Sequence, residues 1–211
     1  MIVVYTALFG DYDTLQPVLP LPGVRFVAFT DQPADTAGWE CLRPRPTEDT
    51  GQLENRKYKT QPHLLFPHAE WTIYIDANLR LTVPPTAIVR ECHDGLNVFL
   101  HNVRQCAYRE AEVVRKQVSS VTLDYQLQKY RTFGFPAEYG LFWGGLVARN
   151  HAANSFNECW WNEVKSGVPR DQISLPYAVW YTGVQCHTLE GGIPFHGDTN
   201  RFCERQPHLR S

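Results

Sequence analysis

Trp71-Thr72-Ile73-Tyr74-Ile75-Asp76-Ala77-Asn78 is an apolar and β-branched run that breaks abruptly into two polar residues around a small one. A five-residue run of this kind, with no polar alternation, fits a strand covered on both faces, as in a mostly parallel sheet. In an extended chain, side chains two apart point the same way, so Asp76 and Asn78 are expected to project together from the strand's carboxyl end. That edge is where open α/β sheets bind ligands. A carboxylate and an amide oxygen are hard donors suited to Mn²⁺ or Mg²⁺. An acid at a strand end can equally cap the following loop.

Outward from this strand, further short runs read the same way: Ile2–Thr6, Val24–Thr30, Asn97–Leu100 and Leu141–Ala148. Helix-period segments lie between and after them. Ala107, Ala111, Val114, Val118 and Val121 form one apolar face. Leu123, Leu127 and Tyr130 continue the rhythm after a break near Ser119-Ser120, and Ala153, Phe156, Trp160 and Val164 form another stripe, closed by Lys165 and Gly167. Pro84-Pro85 suits a helix start. The Pro-rich stretch from Leu42 to Thr47 and the polar stretch from Glu48 to Asn55 read as one long connection. Strand–helix alternation predicts an α/β fold, a mostly parallel mixed sheet flanked by helices.

The 211 residues are enough for one sizeable core, and a single domain is expected. Within it, residues 1–105 are expected to form a nucleotide-binding half and residues 106–211 an acceptor-side half. The formal charge is −2, from 20 Lys and Arg against 22 Asp and Glu, which excludes the basic field of a nucleic-acid binder. No apolar stretch reaches the roughly 18 residues of a membrane span, so no integral membrane segment is expected. The start, MIVVYTALFGDYD, lacks a positive leader region and reads as a first strand. With six scattered cysteines and no Cys-x-x-Cys pair, this favours reduced thiols and a cytoplasmic location.

Other clusters carry possible chemistry. Arg56-Lys57-Tyr58-Lys59 places three cations in four residues, able to neutralise a diphosphate or simply to solvate a surface. His101, Arg104, Tyr108 and Glu110 span a strand-to-helix turn, where they can line a polar pocket or cap the helix. Asp171-Gln172 opens a helix, the ordinary place for a capping acid. Trp160 fits the apolar stripe; Trp161 beside it can stack on a sugar or fill a second core face. His196-Gly197 lies in a glycine-rich segment able to bend close to a phosphate.

Taken in order, YTALFGDYD, FVAFTD, NRKYK, HLLFP, IYIDANLRL, HNVRQCAYREAE, LDYQLQKY, WWNEV and RDQISL resemble the glycosyltransferase-like domain family of the MUCI and TOD type, found in bacteria and plant Golgi proteins. The similarity runs from about Met1 to about Tyr181. That family is in turn similar to the GT-A-fold, glycogenin-like glycosyltransferases, which are Rossmann-like α/β sandwiches. The resemblance implies transfer of a sugar from a nucleoside-diphosphate sugar to a saccharide or other hydroxyl acceptor by a monomer or homodimer. It places Asp76 and Asn78 in the D-x-D position, and the late His196 with them as a loose metal-binding match. Asn in the third place lowers metal affinity, so the resemblance allows Mn²⁺ or Mg²⁺ at these residues without implying that the reaction depends on it. Thr6, Asp11 and Asp31 fall where such enzymes hold the nucleoside. Arg56, Lys57 and Lys59 would face the diphosphate, with His101, Arg104 and Trp161 as further substrate contacts. Asp171 and Gln172 would border the sugar, and Glu110 would act as a second carboxylate. An inverting reaction would need one carboxylate as general base; retention, as the glycogenin-like resemblance suggests, would not. The rival expectation is a catalytically silent carbohydrate- or partner-binding domain on the same fold.

Overall fold

The computed structural model describes residues 1–11, 13–32, 38–195 and 197–208. Nine strands appear among them: β1 (Ile2–Leu8), β2 (Val24–Thr30), β3 (Glu40–Leu42), β4 (Trp71–Ile75), β5 (Leu79–Leu81), β6 (Leu96–Leu100), β7 (Phe142–Arg149), β8 (Cys186–Thr188) and β9 (Cys203–Arg205). The α-helices are α1 (Gly51–Thr60), α2 (Pro62–Leu65), α3 (Pro85–Arg90), α4 (Ala107–Val114), α5 (Ser120–Thr132), α6 (Asn154–Ser166) and α7 (Asp171–Thr182). Seven strands form one sheet in the order β3-β2-β1-β4-β7-β6-β8, and β5 pairs with β9 in a separate ribbon. β7 runs antiparallel to both neighbours, whereas the other four pairings are parallel. This is the mixed, mostly parallel α/β sheet that the apolar runs predict.

The sheet is covered on both faces, which explains the lack of polar alternation. Val3, Tyr5, Phe29, Tyr74 and Val147 face α1, α2, α6 and α7, with Tyr58, Phe156, Trp160 and Leu175. The alternate residues Val4, Ala28, Ile73, Ile75 and Ala148 face the other way, against Trp39, Ile88, Leu79 and Phe202. A third cluster joins α4, α5 and α7 through Ala111, Leu123, Tyr130 and Tyr177. Val121 was expected on that face but is 78% exposed. The helix with that stripe stops at Val114, and a new one begins at Ser120, capped by the Ser119 hydroxyl accepting from Thr122 N, so the rotational phase is reset.

The stretch from Glu48 to Asn55 is not simply a connection. Gly51 opens α1, whose N-cap Thr50 accepts from Leu53 N at 3.1 Å. Glu54, fully buried, accepts the amides of Thr47 and Glu48 at 2.9 and 2.8 Å, so a polar sequence conceals an anchored helix start. The cations after it therefore obey helical spacing. Arg56 and Lys59, three apart, share a face. Lys57 does not.

The other end of α1 is held by Arg149, the last residue of β7 and almost fully buried. Its guanidinium donates to Asn157 Oδ1 at 2.7 Å, to the Tyr5 hydroxyl at 2.6 Å and to the Lys59 carbonyl. Tyr5 donates to the same carbonyl at 2.9 Å. Burial draws the Arg149 pKa down, opposed by Tyr5. A single side chain thus joins β7, β1, α6 and the end of α1. Arg149→Met removes that junction and leaves buried acceptors unpaired, so a loss of about 2–4 kcal/mol is expected in urea denaturation. A loss below about 1 kcal/mol would show that neighbouring polar groups can satisfy each other without it.

Candidate active site

The carboxyl end of β4 opens onto a cleft of about 160 Å³ whose lining includes Arg56, Lys59, Asp76, Asp171 and Gln172. Three separate pieces of chain converge there: the face of α1, the end of β4 and the first turn of α7. Lys59, only 2% exposed, sits 2.5 Å from Asp171 Oδ2 and 3.6 Å from Asp76 Oδ1. Arg56 Nε lies 3.2 Å from Asp171 Oδ1. Burial alone would raise the Asp171 carboxyl, but Arg56 and Lys59 outweigh it and hold the group well below the usual carboxylate range. Asp171 is fixed in turn through its backbone, whose carbonyl accepts from Trp160 Nε1 at 3.2 Å.

The close approach of α1 and α7 depends on β7. Its pairing with β6 shifts between Val98 and Phe99, so that Val98 meets Val147 while Phe99 meets Trp143. The strand bulges at Gly144 and Gly145, which line the cleft, and Asp76 N donates to the Gly145 carbonyl at 2.8 Å. A Cβ on Gly144 would lie 3.0 Å from both Asp171 Oδ2 and Lys59 Nζ. Glycine inside a buried strand is itself a sign of close approach, and this signal in FWGGLVAR identifies the site independently of any charged residue.

The remaining expected residues are placed as follows. Asp76-Ala77-Asn78 is a turn, with Leu79 N donating to the Asp76 carbonyl, so the two-residue strand rule lapses at Asp76. The buried Asn78 amide donates to the Gln206 carbonyl at 2.8 Å and does not line the cleft. Lys57 points elsewhere, donating to Thr47 Oγ1 at 2.5 Å and lying near Glu54. Thr6 is buried within β1. Asp31 accepts from Gly10 N at 3.1 Å with each oxygen, bracing the loop after β1 in which the exposed Asp11 also lies. Both stand at the same sheet edge as the cleft, though neither lines it. Trp161 packs against the core with Lys165 above its ring. His196 lies outside the described residues.

Glu110 is fully buried and saturated by arginines. Its Oε1 accepts from Arg170 at 2.8 and 3.0 Å, and its Oε2 from Arg104. Arg170 lines the cleft, so Glu110 positions a cation there and does not itself enter. His101 Nδ1 accepts the amides of Val103 and Arg104, supporting this turn; burial, aided by Arg104, pulls its pKa down. Sequence reasoning missed Arg170, which precedes the Asp-Gln pair. It also gave no role to Asp13, the last residue of the YTALFGDYD stretch, to Arg205 at the end of β9 or to His208 beyond it.

Among the described residues the donor set at the cleft does not suit a divalent ion. Among the described residues no three His, Cys, Asp or Glu side chains are grouped to hold one. Asn78 is turned away, and Lys59 occupies the flank of Asp76 where a cation would be held.

A family model for the TOD1/MUCI70 glycosyltransferase-like domain matches residues 54–188, which include Lys59, Asp76, Gly144 and Asp171. The chain belongs to that family. It is 27% identical over 141 residues to the Arabidopsis thaliana protein described as a probable hexosyltransferase, MUCI70, covering 59% of this chain. The matched part amounts to about a quarter of that longer relative, 24% of its length. The structure is also similar to the crystal structure of a glycosyltransferase involved in glycosylation of the major capsid of PBCV-1. The TM-score is 0.40 at 10% identity, over 72% of this chain and 66% of that one.

Two outcomes are expected from this geometry. Gly144→Ala must displace the Lys59–Asp171 pair, costing about 1–3 kcal/mol in thermal or urea unfolding, whereas an unchanged midpoint would mean that the pair shifts freely. Asp171 has a folded pKa below its unfolded one, so its contribution to stability is complete above the unfolded value, near 4 for an ordinary Asp, and is lost as pH falls further. Asp171→Asn should therefore flatten the fall in stability below about pH 4, measured by denaturation at a series of pH values. An unaltered acid limb would assign that fall to other carboxylates.

Proposed function

We propose that this chain is a glycosyltransferase that moves a hexosyl group from a nucleoside-diphosphate sugar to a hydroxyl acceptor, with a GT-A-like arrangement of sheet and cleft. The observation that carries the reading is the convergence of Arg56, Lys59, Arg170 and Arg205 on one cleft at the carboxyl ends of parallel strands. Membership of a glycosyltransferase-like family supports it, as does the description of the plant relative.

As a glycosyl group departs, negative charge builds on the oxygen bridging the sugar to the diphosphate. Cations already fixed in a poorly hydrated site stabilise that charge without reorganising. Lys59 and Arg56 are fixed in this way by Asp171, and Arg170 is fixed by Glu110. Lys59 supplies beside Asp76 the positive charge that a metal would otherwise bring. Asp171 is committed to its two cations, which leaves Gln172, at the cleft edge, to meet the sugar hydroxyls. The nucleoside would lie toward the loops after β1 and β2, braced by Asp31 on Gly10.

Calorimetry with uridine and guanosine diphosphates tests the reading. Lys59→Ala should weaken diphosphate binding by about tenfold or more, the scale of one charge-assisted hydrogen bond. Lys57→Ala should leave it within about twofold, since surface charges contribute little, and a chelator should leave it unchanged. Failure of both nucleotides to bind would end the proposal. Binding without any turnover of nucleotide sugars would favour the silent binding domain.

A further inference from the structure

The junction around Arg149 leaves one charge unanswered. The side chain is 1% exposed, and its hydrogen bonds go to neutral groups: Asn157 Oδ1, the Tyr5 hydroxyl and the Lys59 carbonyl. The titratable groups that act on it are the phenols of Tyr5 and Tyr74. Burial keeps Tyr5 neutral, with its pKa pushed up to about 12. The Trp160 ring, 5.6 Å from the guanidinium carbon, offsets part of the charge. Among the described residues no carboxylate forms an ion pair with Arg149. A cation taken out of water without a counter-charge is costly.

Two orphaned polar atoms lie in the same place. Arg149 Nε and His63 Nδ1 are buried and have no hydrogen-bond partner among the described residues. Both residues line a pocket of about 10 Å³ between α2, the end of β7 and α6, room for one occupant of atomic size. Asn157 gives its Oδ1 to Arg149, which leaves its amide N–H groups to donate, and Asn154 brings a second amide to the lining. Among the described residues no Asp or Glu lines this pocket, and none of its residues lines the cleft.

His63, on α2, has a side chain 7% exposed, with Nε2 at 3.9 Å from Glu158 Oε1 on α6. The exposed His151, after β7, also lines the pocket. Burial lowers the His63 pKa, Glu158 raises it and Arg149 lowers it. A protonated ring has two donors: Nε2–H can face Glu158 while Nδ1–H faces the pocket. The pocket then holds a guanidinium and an imidazolium donor with no acid from the chain between them.

We propose that this pocket binds one small monovalent anion, such as chloride, between Arg149 and the protonated His63 ring. The anion supplies the counter-charge that the pocket lining lacks. With the ring neutral, Nδ1 can accept, and a single water taking a bond from Arg149 Nε and giving one to His63 fills the space instead. Anion and proton binding are coupled, so affinity for the anion rises as pH falls. Without the anion, His63 has a folded pKa below its unfolded one. Stability is then complete above the unfolded value, near 6.5 for an ordinary His, and is lost as pH falls below it. The anion restores it.

Thermal melting of the whole chain in about 100 mM sodium chloride, against equimolar sodium gluconate, tests the site; gluconate is too large for the pocket. Near pH 5.5 chloride should raise the midpoint by about 3–5 °C, as for a dissociation constant of roughly 10 mM. Near pH 8 the rise should be below about 1 °C. His63→Gln, which keeps a neutral polar group, should lose this pH dependence. Asn154→Asp brings a carboxylate into the pocket and should make the midpoint insensitive to chloride. Crystals grown near pH 5.5 in bromide should show an anomalous peak beside Arg149 Nε. Equal midpoints in chloride and gluconate near pH 5.5 overturn the proposal. So does a chloride response undiminished in either variant, or a water in the place of bromide.

Discussion

A buried ammonium must have a counter-charge, and in this protein that need organises the cleft. Lys59 is the penultimate residue of α1, close to fully buried, and Asp171 opens α7 at 2.5 Å from it. Neither charge could be buried alone, since desolvation would neutralise or expel it. The pair meets only because β7 passes beneath it as Gly144, with no side chain in the way. Arg149 holds the Lys59 backbone from below, and Trp160 holds that of Asp171. The core and the cleft are thus joined at two residues, and helix packing sets the distance between charges.

This arrangement also explains why acidic residues in the site act as holders. Asp171 fixes Lys59 and Arg56, while Glu110, more deeply buried, fixes Arg170. Each carboxylate is surrounded by donors and offers little to a hydroxyl group. A carboxylate saturated with guanidinium or ammonium groups is a poor base, because its proton affinity has been lowered by the very charges it orients. In the proposed transfer, such a site would act through charge set in place before substrate arrives.

Much of the fold was legible because β1, β2, β4, β6 and β7 are buried on both faces, and an apolar run then needs no alternation to be recognised. The three-residue strands β3, β5, β8 and β9 carry too few residues for any period to show. Arg56, Lys59, Asp76, Asp171 and Gln172 were legible as a set once their order was considered. Asn78 was misread because the chain leaves the strand at Asp76, and Lys57 because Glu48–Asn55 read as a connection, hiding the helix that turns it away. Glu110 stands out in the sequence as a second carboxylate, but its two arginine partners lie 6 and 60 positions away, and they make it a holder of Arg170 and keep it out of the cleft. Asp13, Arg205 and His208 lie outside the span matched by the family, in segments whose partners only the folded chain supplies.

The ribbon of β5 and β9 has a consequence for how such a protein can diversify. β9 pairs with β5 in a ribbon separate from the main sheet, and the backbone of Gln206 bonds to that of Asn78. Arg205 and His208 therefore reach the cleft on a strap fastened just past β4 and seated on one face of the sheet by Leu79, Phe202 and Cys203. Exchanging that strap would re-equip one side of the cavity while the opposite wall and the sheet kept their form. Specificity on that side of the cavity is thus separable from the rest of the fold, much as a tool changes its bit and keeps its handle.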